Sequence, residues 1–196
     1  MKLSEIVKKV IEIVGIALAV EKENLTKVTQ ATVLKDLNSS IDALDFAKIF
    51  ELISKEFGIR EELQEDLTTV GDIVNFIIFA KIKDCLVDAL GVDADEVTPE
   101  AIIIAKLGAE SIDFLDIIFR LEKAFEIKLP REEFFPDLET LGYAHGDTIV
   151  VEKIEEIKAK FSFLNFKEWE KRPTVTSFGD LFTVQALVNF ITIKLS

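Results

Sequence analysis

The amino-acid sequence predicts an all-α protein made of two tandem helical bundles, the second of which carries an inserted helical segment. Three observations support this prediction. Apolar residues recur at helical spacing over long stretches of the 196 residues. One such amphipathic helix occurs twice along the chain. Hydrophobic residues make up 49% of the chain, which is enough for either one ordinary core or two small ones, so the repeat decides the number of domains.

The first unit begins with a predicted helix from Leu3 to Ala19, for which Ser4 is a plausible cap. Residues 20–41 lack a sustained period and contain turn-forming residues, so they are predicted to form a long loop. The next helix is predicted from Asp42 to Phe57 and ends at Gly58.

The end of the first unit is predicted to be a short helical turn at Arg60 to Asp66 and a last helix capped by Thr69. Between Thr69 and Leu90 there is no proline and no glycine except Gly71. Because loops in small domains usually contain such residues, we expect this helix to run straight into the first helix of the second unit.

The second unit repeats the first. When the sequence of the first unit is aligned with that of the second so that Phe57 matches Phe125, Ala43 matches Ser111. The segment VNFI of the first unit recurs near the C-terminus, but the sequence distance between its two copies is larger than that between Phe57 and Phe125. The second unit therefore contains an insertion, which we place at about 134–180. The predicted domains are therefore 1–79 and 80–196.

The insertion contains a glycine-rich turn at 142–147 and then apolar residues at helical spacing from Val150 to Phe161. We expect one extra helix there. The run from Thr148 to Val151 could also be a strand, but no partner strand is evident elsewhere in the chain, so the helix is preferred.

The stretch from Lys106 to Pro130 places Ser111 at the start of a strongly amphipathic helix, behind a Leu-Gly turn. One face of this helix is a predicted core stripe of five apolar residues, namely Phe114, Ile117, Ile118, Leu121 and Phe125. A second apolar row and four carboxylates surround the same helix, and they consist of Ile112, Leu115 and Phe119 with Glu110, Asp113, Asp116 and Glu122. A core needs only one stripe, so the second row beside an exposed serine predicts a docking face for another protein.

Glu110-Ser111-Ile112 and the helix that follows resemble the acyl carrier proteins, whose signature is Asp-Ser-Leu or a close variant at the start of the second helix. The resemblance implies that Ser111 is joined through a phosphodiester to 4'-phosphopantetheine, derived from coenzyme A, whose thiol carries acyl groups as thioesters. It also implies two kinds of partner: a phosphopantetheinyl transferase, and acyl-transferring or synthase enzymes of fatty-acid or specialised lipid synthesis with basic docking surfaces. The segment SIDFLDIIFRLEKAFEIKLP looks closer to specialised bacterial carriers, such as those for very long acyl chains of lipid A, than to the general fatty-acid carrier.

The first unit has Ala43 where the resemblance would require a serine, so we expect it to be a degenerate copy without the prosthetic group. The aromatic residues Phe161, Phe163, Phe166 and Trp169 are interpreted as a satellite core under the insertion, with a pocket for a long acyl chain as the alternative.

Composition restricts the remaining possibilities. The formal charge of −13 and the pI near 4.6 argue against nucleic acid or an anionic membrane surface as partner. No apolar run is long enough for a membrane span, and a single cysteine, Cys85, with no visible signal peptide favours a cytoplasmic location. His145 is the only histidine, so neither a Ser-His-Asp triad nor a histidine-based metal site has support.

We therefore expect a carrier protein that catalyses nothing itself. The alternative from another class is an acidic helical interaction or scaffold protein that retains the carrier fold without the prosthetic group.

Overall fold

The computed structural model describes residues 2–60 and 67–196. The described chain forms two compact units: unit one comprises the residues up to Lys81 together with Leu195 and Ser196, and unit two is Ile82–Lys194. The first boundary lies inside a helix, α5 (Val70–Leu90), which is continuous, as the lack of proline and glycine there predicts.

Within residues 2–60, unit one contains four helices. They are α1 (Leu3–Ala17), α2 (Lys22–Leu25), α3 (Leu34–Leu37) and α4 (Ala43–Phe57). The amphipathic helices α1 and α4 bury their apolar stripes in one core, with Val10 and Val14 of α1 and Ile49 and Ile53 of α4 all buried. The short helical turn predicted at Arg60 to Asp66 lies outside the described residues, apart from Arg60 itself.

The long loop of unit one is held against the start of α5 by main-chain hydrogen bonds. Leu34 N donates to Thr68 O at 2.9 Å, and Val70 N donates to Thr32 O at 3.1 Å. Val33 lies between them in an antiparallel bridge with Thr69. The backbone N–H and C=O groups of this part of the loop are thus satisfied by hydrogen bonds to the segment at the start of α5.

Unit two begins with the second half of α5, and five further α-helices follow in the described chain. They are α6 (Asp113–Phe125), α7 (Arg131–Phe134), α8 (Ile154–Lys160), α9 (Val175–Gly179) and the C-terminal α10 (Val184–Leu195). Short 3₁₀ turns lie at Ala94–Glu96, Val151–Lys153 and Trp169–Lys171.

The loop before α6 repeats the arrangement of unit one. Ile103 N donates to Phe182 O at 3.0 Å, and Val184 N donates to Ala101 O at 3.0 Å, on either side of an antiparallel bridge that involves Ile102. The two halves of the sequence thus form the same pattern of backbone hydrogen bonds, and this pattern does not depend on side-chain identity.

The insertion differs from its prediction in both its strand and its helices. A strand does form: β2 (Thr148–Ile149) pairs with β1 (Ala144–His145), with Ala144 opposite Ile149 and His145 opposite Thr148. The interpretation that a strand here lacks a partner was wrong, because the partner lies just upstream. Gly146, with φ of +57°, allows the two-residue turn that joins the strands. The predicted helix is present but shorter, as α8, and the insertion holds a second α-helix, α9, where only one was expected.

Aromatic rings fill the interior of the insertion. The Phe134 ring lies at its centre, with its centroid 5.6 Å from Phe163, 5.3 Å from Phe182 and 5.2 Å from Phe190. The other predicted aromatic residues are also buried, namely Phe161, Phe166 and Trp169. Beside this cluster and α6 there is a cavity of only about 10 Å³, which is the space that one water requires. The arrangement is that of a packed satellite core.

The start of α5 is fixed by a reciprocal capping arrangement. The Asp72 carboxylate accepts hydrogen bonds from Thr69 N at 2.7 Å and from Thr68 N and Oγ1 at 3.0 Å, while Asp72 N donates to Thr69 Oγ1 at 3.1 Å. Partial burial opposes ionisation of this carboxyl, but the hydrogen bonds from Thr69 and Thr68 outweigh it and lower the pKa of Asp72.

We predict that Asp72→Asn destabilises unit one by about 1 kcal/mol at pH 7, the usual effect of losing a helix cap. Because the folded-state pKa lies below the ordinary value of 3.8, the stabilisation is fully present above that value and is lost as the pH falls through the folded-state pKa. Urea unfolding followed by the amide signals of unit one should therefore show a difference between wild type and variant that shrinks in acid.

The measurement has a control variant, and fluorescence gives a separate signal for the other unit. Asp36→Asn removes an exposed carboxylate that makes no hydrogen bond within the described residues, and it should leave the midpoint unchanged. Trp169 and Tyr143 both lie in unit two, so fluorescence reports that unit alone. An Asp72→Asn midpoint equal to that of wild type at pH 7 would contradict the capping role.

Candidate functional site

The loop that precedes α6 brings Ser111 to the surface. Leu107 and Ala109 are buried on either side of Gly108, which has φ of +71°. This left-handed conformation is open to glycine at little cost, so the Leu-Gly pair recognised in the sequence is what reverses the chain here. Gly108 N donates to Ile104 O at 3.1 Å, and Ala109 N donates to Ile103 O at 3.2 Å. The next two residues, Glu110 and Ser111, are exposed.

Ser111 lies in a turn immediately before α6, and its hydroxyl makes no hydrogen bond to any residue that the structure describes. Ile112 already has helical backbone angles, with φ of −75° and ψ of −33°. The Asp113 carboxylate accepts a hydrogen bond from Glu110 N at 2.7 Å, and Asp113 N donates to Glu110 O at 3.0 Å. The serine hydroxyl is thus exposed at a helix N-terminus and unpaired within the described residues.

The corresponding helix of unit one starts differently. The Asp42 side chain accepts hydrogen bonds from Leu44 N at 2.9 Å and Asp45 N at 3.2 Å, and α4 begins at the next residue, Ala43. Both helices end alike, on a left-handed residue, at Gly58 in α4 and Glu126 in α6. The two helices therefore correspond at their C-termini and differ at their N-termini.

The core stripe predicted on α6 is present. Phe114, Ile117, Leu121 and Phe125 are buried, while Ile118, the fifth predicted member, is half-buried.

The second apolar row faces solvent. Ile112 is 72% exposed, Leu115 60% and Phe119 64%. Three large apolar side chains along one exposed face of a helix are unusual in a protein surface that has no partner.

The four predicted carboxylates do not form one uniform set. Glu110 is exposed, and its carboxylate makes no hydrogen bond or ion pair within the described residues. The Asp113 carboxylate accepts from Glu110 N, as described above. Asp116 is half-buried and pairs with Arg120, with Oδ2 to Nε at 2.8 Å, while the Arg120 guanidinium also reaches Asp88 at 3.6 Å.

Glu122 holds the turn after α6. Its carboxylate accepts from Leu129 N at 2.8 Å and pairs with Lys128 Nζ at 3.2 Å. The hydrogen bond from Leu129 N, assisted by the one from Lys128, lowers the pKa of Glu122. This carboxylate therefore orders the chain leading to Pro130, in addition to contributing negative charge.

Sequence reasoning missed Arg120, although it follows Asp116 at the helical i,i+4 spacing that favours such pairs. The contact between Glu122 and the Leu129 amide has no comparable signal, because it depends on the path of the turn between them.

The other candidate residues carry no site. His145 is exposed in the β1–β2 hairpin, and Cys85 is buried in α5. Within residues 2–60 and 67–196, no three histidine, cysteine or acidic side chains are grouped so that they could bind a metal ion. Over the same residues, no helix has both the length and the apolar character needed to cross a membrane.

Comparisons with known proteins agree on the class of this site. A family model described as "phosphopantetheine attachment site" matches residues 80–142, which include Ser111 and all of α6. The acyl carrier protein of Clostridium acetobutylicum is 44% identical over 57 residues, a segment that covers 29% of this chain and 74% of that protein.

Two further relatives are the acyl carrier proteins AcpXL of Brucella melitensis and Brucella suis. Each is 45% identical over 56 residues, covering 29% of this chain and 60% of the relative. The chain thus spans about three fifths of the length of these two proteins. No solved structure matches the chain at a significant level.

The fold, the attachment-site match and the relatives define a carrier that bears 4'-phosphopantetheine as a covalently bound prosthetic group. The chain belongs to the acyl carrier protein family, whose members are non-catalytic carriers.

Proposed function

We propose that Ser111 is the residue that bears 4'-phosphopantetheine, and that unit two presents acyl groups, held as thioesters on this arm, to partner enzymes. The observation that carries the proposal is the exposed, unpaired hydroxyl of Ser111 at the start of α6, inside the segment that matches the attachment-site family. The thiol of the prosthetic group supplies the thioester chemistry.

The surroundings of Ser111 fit a phosphodiester. The first amides of a helix lack partners within the helix and favour a negative charge in front of them. The amides of Ser111 and Ile112 donate to no acceptor within the described residues. In loading, the Ser111 Oγ forms a bond to phosphorus as the pyrophosphate bond of coenzyme A breaks; the hydroxyl proton is lost, and the nucleotide half leaves as a bisphosphate.

The partners dock, in this proposal, on the exposed face of α6. It combines the apolar row of Ile112, Leu115 and Phe119 with acidic groups at its edge, and a complementary partner surface would be basic around an apolar centre. The first such partner is a phosphopantetheinyl transferase, and the others are acyl-transferring or synthase enzymes of fatty-acid or specialised lipid synthesis. Among the acids, the free carboxylate of Glu110 is the one most available to a partner.

Ser111→Ala tests the attachment site directly. After incubation with coenzyme A and a phosphopantetheinyl transferase, the wild-type chain should gain the mass of one phosphopantetheine group. The variant should gain none, because it has alanine both at position 111 and at the corresponding position of unit one, Ala43. Intact-mass spectrometry measures both. Loading that persists in Ser111→Ala would refute the assignment.

The docking face predicts a second result. The double variant Leu115→Ser and Phe119→Ser should lower the loading efficiency by about tenfold, which corresponds to about 1.4 kcal/mol of lost apolar contact. Leu44→Ser is the matched control, because Leu44 is equally apolar, 78% exposed and in unit one. If the control and the double variant load equally well, partners use another surface.

Unit one, in this proposal, is a carrier-like domain that has lost the attachment residue and two of the three apolar residues of the docking row. Ala43 corresponds to Ser111, and Ala47 and Glu51 correspond to Leu115 and Phe119. Ala47 and Glu51 are exposed, so their replacement affects the surface and leaves the core unchanged.

Ala43→Ser separates these two losses. We expect the new serine to be loaded much more slowly than Ser111 by the same transferase, since two of the three apolar residues of the docking row are still missing. Mass spectrometry of proteolytic peptides, in a chain that also carries Ser111→Ala, gives the rate at this one position. A rate comparable to that of Ser111 in the wild-type chain would mean that the face of unit one is competent and only the hydroxyl is absent.

A further inference from the structure

Apolar side chains from three parts of unit two enclose the space beneath the core stripe of α6. They include Ile117 and Leu121 of α6, Leu129 of the following turn, and Leu187 and Phe190 of α10. The interior between the helices of a bundle is a usual place for an apolar ligand. Ile117 follows Ser111 by about 9 Å along the helix, so a flexible chain attached to the serine is long enough to reach this space.

Two consecutive phenylalanine residues fill the space. Phe134 is the last residue of α7, and Phe135 follows it. Both rings line the space, and their centroids lie 4.3 Å apart with the ring planes nearly perpendicular. The Phe134 ring also lies 5.2 Å from that of Phe190. The volume left over is about 10 Å³, which is room for one water and too little for an alkyl chain.

Phe135 closes the interior on the side of Ser111. Its ring centroid is 3.7 Å from that of Phe114, at an interplanar angle of 33°. Phe114 is the first buried residue of α6 after Ser111. Phe135 itself is half-buried, so its ring lies between the interior and the surface. A chain that entered along α6 from Ser111 would meet this pair of rings first.

Rings from the second half of the unit hold Phe134 and Phe135 in place. Phe182 contacts both of them, with centroid distances of 5.3 Å and 5.5 Å. Phe163 of the insertion stacks on Phe134 at 5.6 Å, with the ring planes 20° apart. Because protein interiors are close-packed and deform little, rings that are held from several sides leave no room for an added chain. The insertion therefore takes part in closing the interior of unit two.

Resting on the proposed attachment to Ser111, we infer that Phe134 and Phe135 occupy the place of an acyl chain, so that a chain held as a thioester stays outside the helical bundle of unit two. The interior then imposes no limit on the length of the acyl group. Short and long linear acyl groups are accessible to partner enzymes without first leaving a binding site inside the carrier.

The first test uses the wild-type full-length chain. It is loaded with acetyl, octanoyl or hexadecanoyl phosphopantetheine from the matching acyl-coenzyme A by a phosphopantetheinyl transferase. The methyl groups of Ile117, Leu121 and Leu187 are the NMR probes, because these residues line the closed space. Their chemical shifts should be the same for all three acyl groups. Shifts that change with chain length, or nuclear Overhauser effects between the chain and these methyl groups, would overturn the inference.

Phe135→Ala supplies the second test. Removal of this half-buried ring should leave an apolar cavity, and such cavities accept apolar ligands. The octanoyl chain should then contact the Ile117 and Leu187 methyl groups. It should also raise the thermal midpoint of unit two, followed by Trp169 fluorescence, by about 4 °C over the acetyl form, whereas the two wild-type forms should differ by less than about 1 °C.

Phe161→Ala is the matched control. It removes a buried ring of the same aromatic cluster that does not line this space, so its octanoyl and acetyl forms should differ as little as those of wild type. Phe134→Ala repeats the second test at the other ring. If the octanoyl chain stays outside in both Phe135→Ala and Phe134→Ala, these rings are not what excludes it, and the inference fails.

The outcomes separate this inference from the proposed function. If mass spectrometry places the acyl phosphopantetheine on a residue other than Ser111, the proposed attachment fails and the inference fails with it. If Ser111 carries the group but the methyl groups of wild type respond to chain length, only the exclusion of the chain fails. The wild-type series needs no variant, so it remains decisive if either alanine variant does not fold.

Discussion

The burial of one face of α6 is the constraint on which the rest of unit two depends. Ile117 and Phe125 are completely buried and Phe114 and Leu121 nearly so, and each such side chain contributes about 1.5–3 kcal/mol of transfer free energy. This burial fixes the rotation of the helix about its axis. Once it is fixed, Ile112, Leu115 and Phe119 must face solvent, and Ser111 must lie at the exposed end. The helix that closes the core therefore also presents Ser111 and the exposed apolar row, and neither can be moved without disturbing the other.

Helical periodicity is the part of this structure that the sequence predicts best. The stripe of α4 and the stripe of α6 each determine a helix, and α4 ends at the predicted residue, Phe57. The start of α6 could not be predicted in the same way. Glu and Asp before a helix look equivalent as charges, but only the shorter side chain returns to the first amides, and this difference is visible only in the hydrogen bonds of Asp42 and Glu110.

The acidic face shows a second limit of sequence reasoning. Asp116 and Glu122 were grouped with Glu110 and Asp113 by sign and by helical position, yet one pairs with Arg120 and the other holds the Leu129 amide. Charge patterning identifies which residues are negative, whereas the path of the following turn decides which carboxylates remain free. The hairpin of the insertion was missed for a related reason: strands of two residues give no periodic signal, and their pairing depends on the conformation of Gly146.

The core face of α4 and α6 is alike in the two units, whereas the exposed face and the helix start differ. Ile49, Ile53 and Phe57 of α4 are buried at the positions of Ile117, Leu121 and Phe125, so both units keep the core face of this helix. All the differences discussed above are on the outside or at the helix start: a hydroxyl, two apolar side chains and one methylene. Such changes leave the packed interior intact, because exposed substitutions usually alter stability by less than about 0.5 kcal/mol. In the proposed function, unit one therefore lacks the features of a carrier because of a few surface replacements, while the core face of its helix is retained.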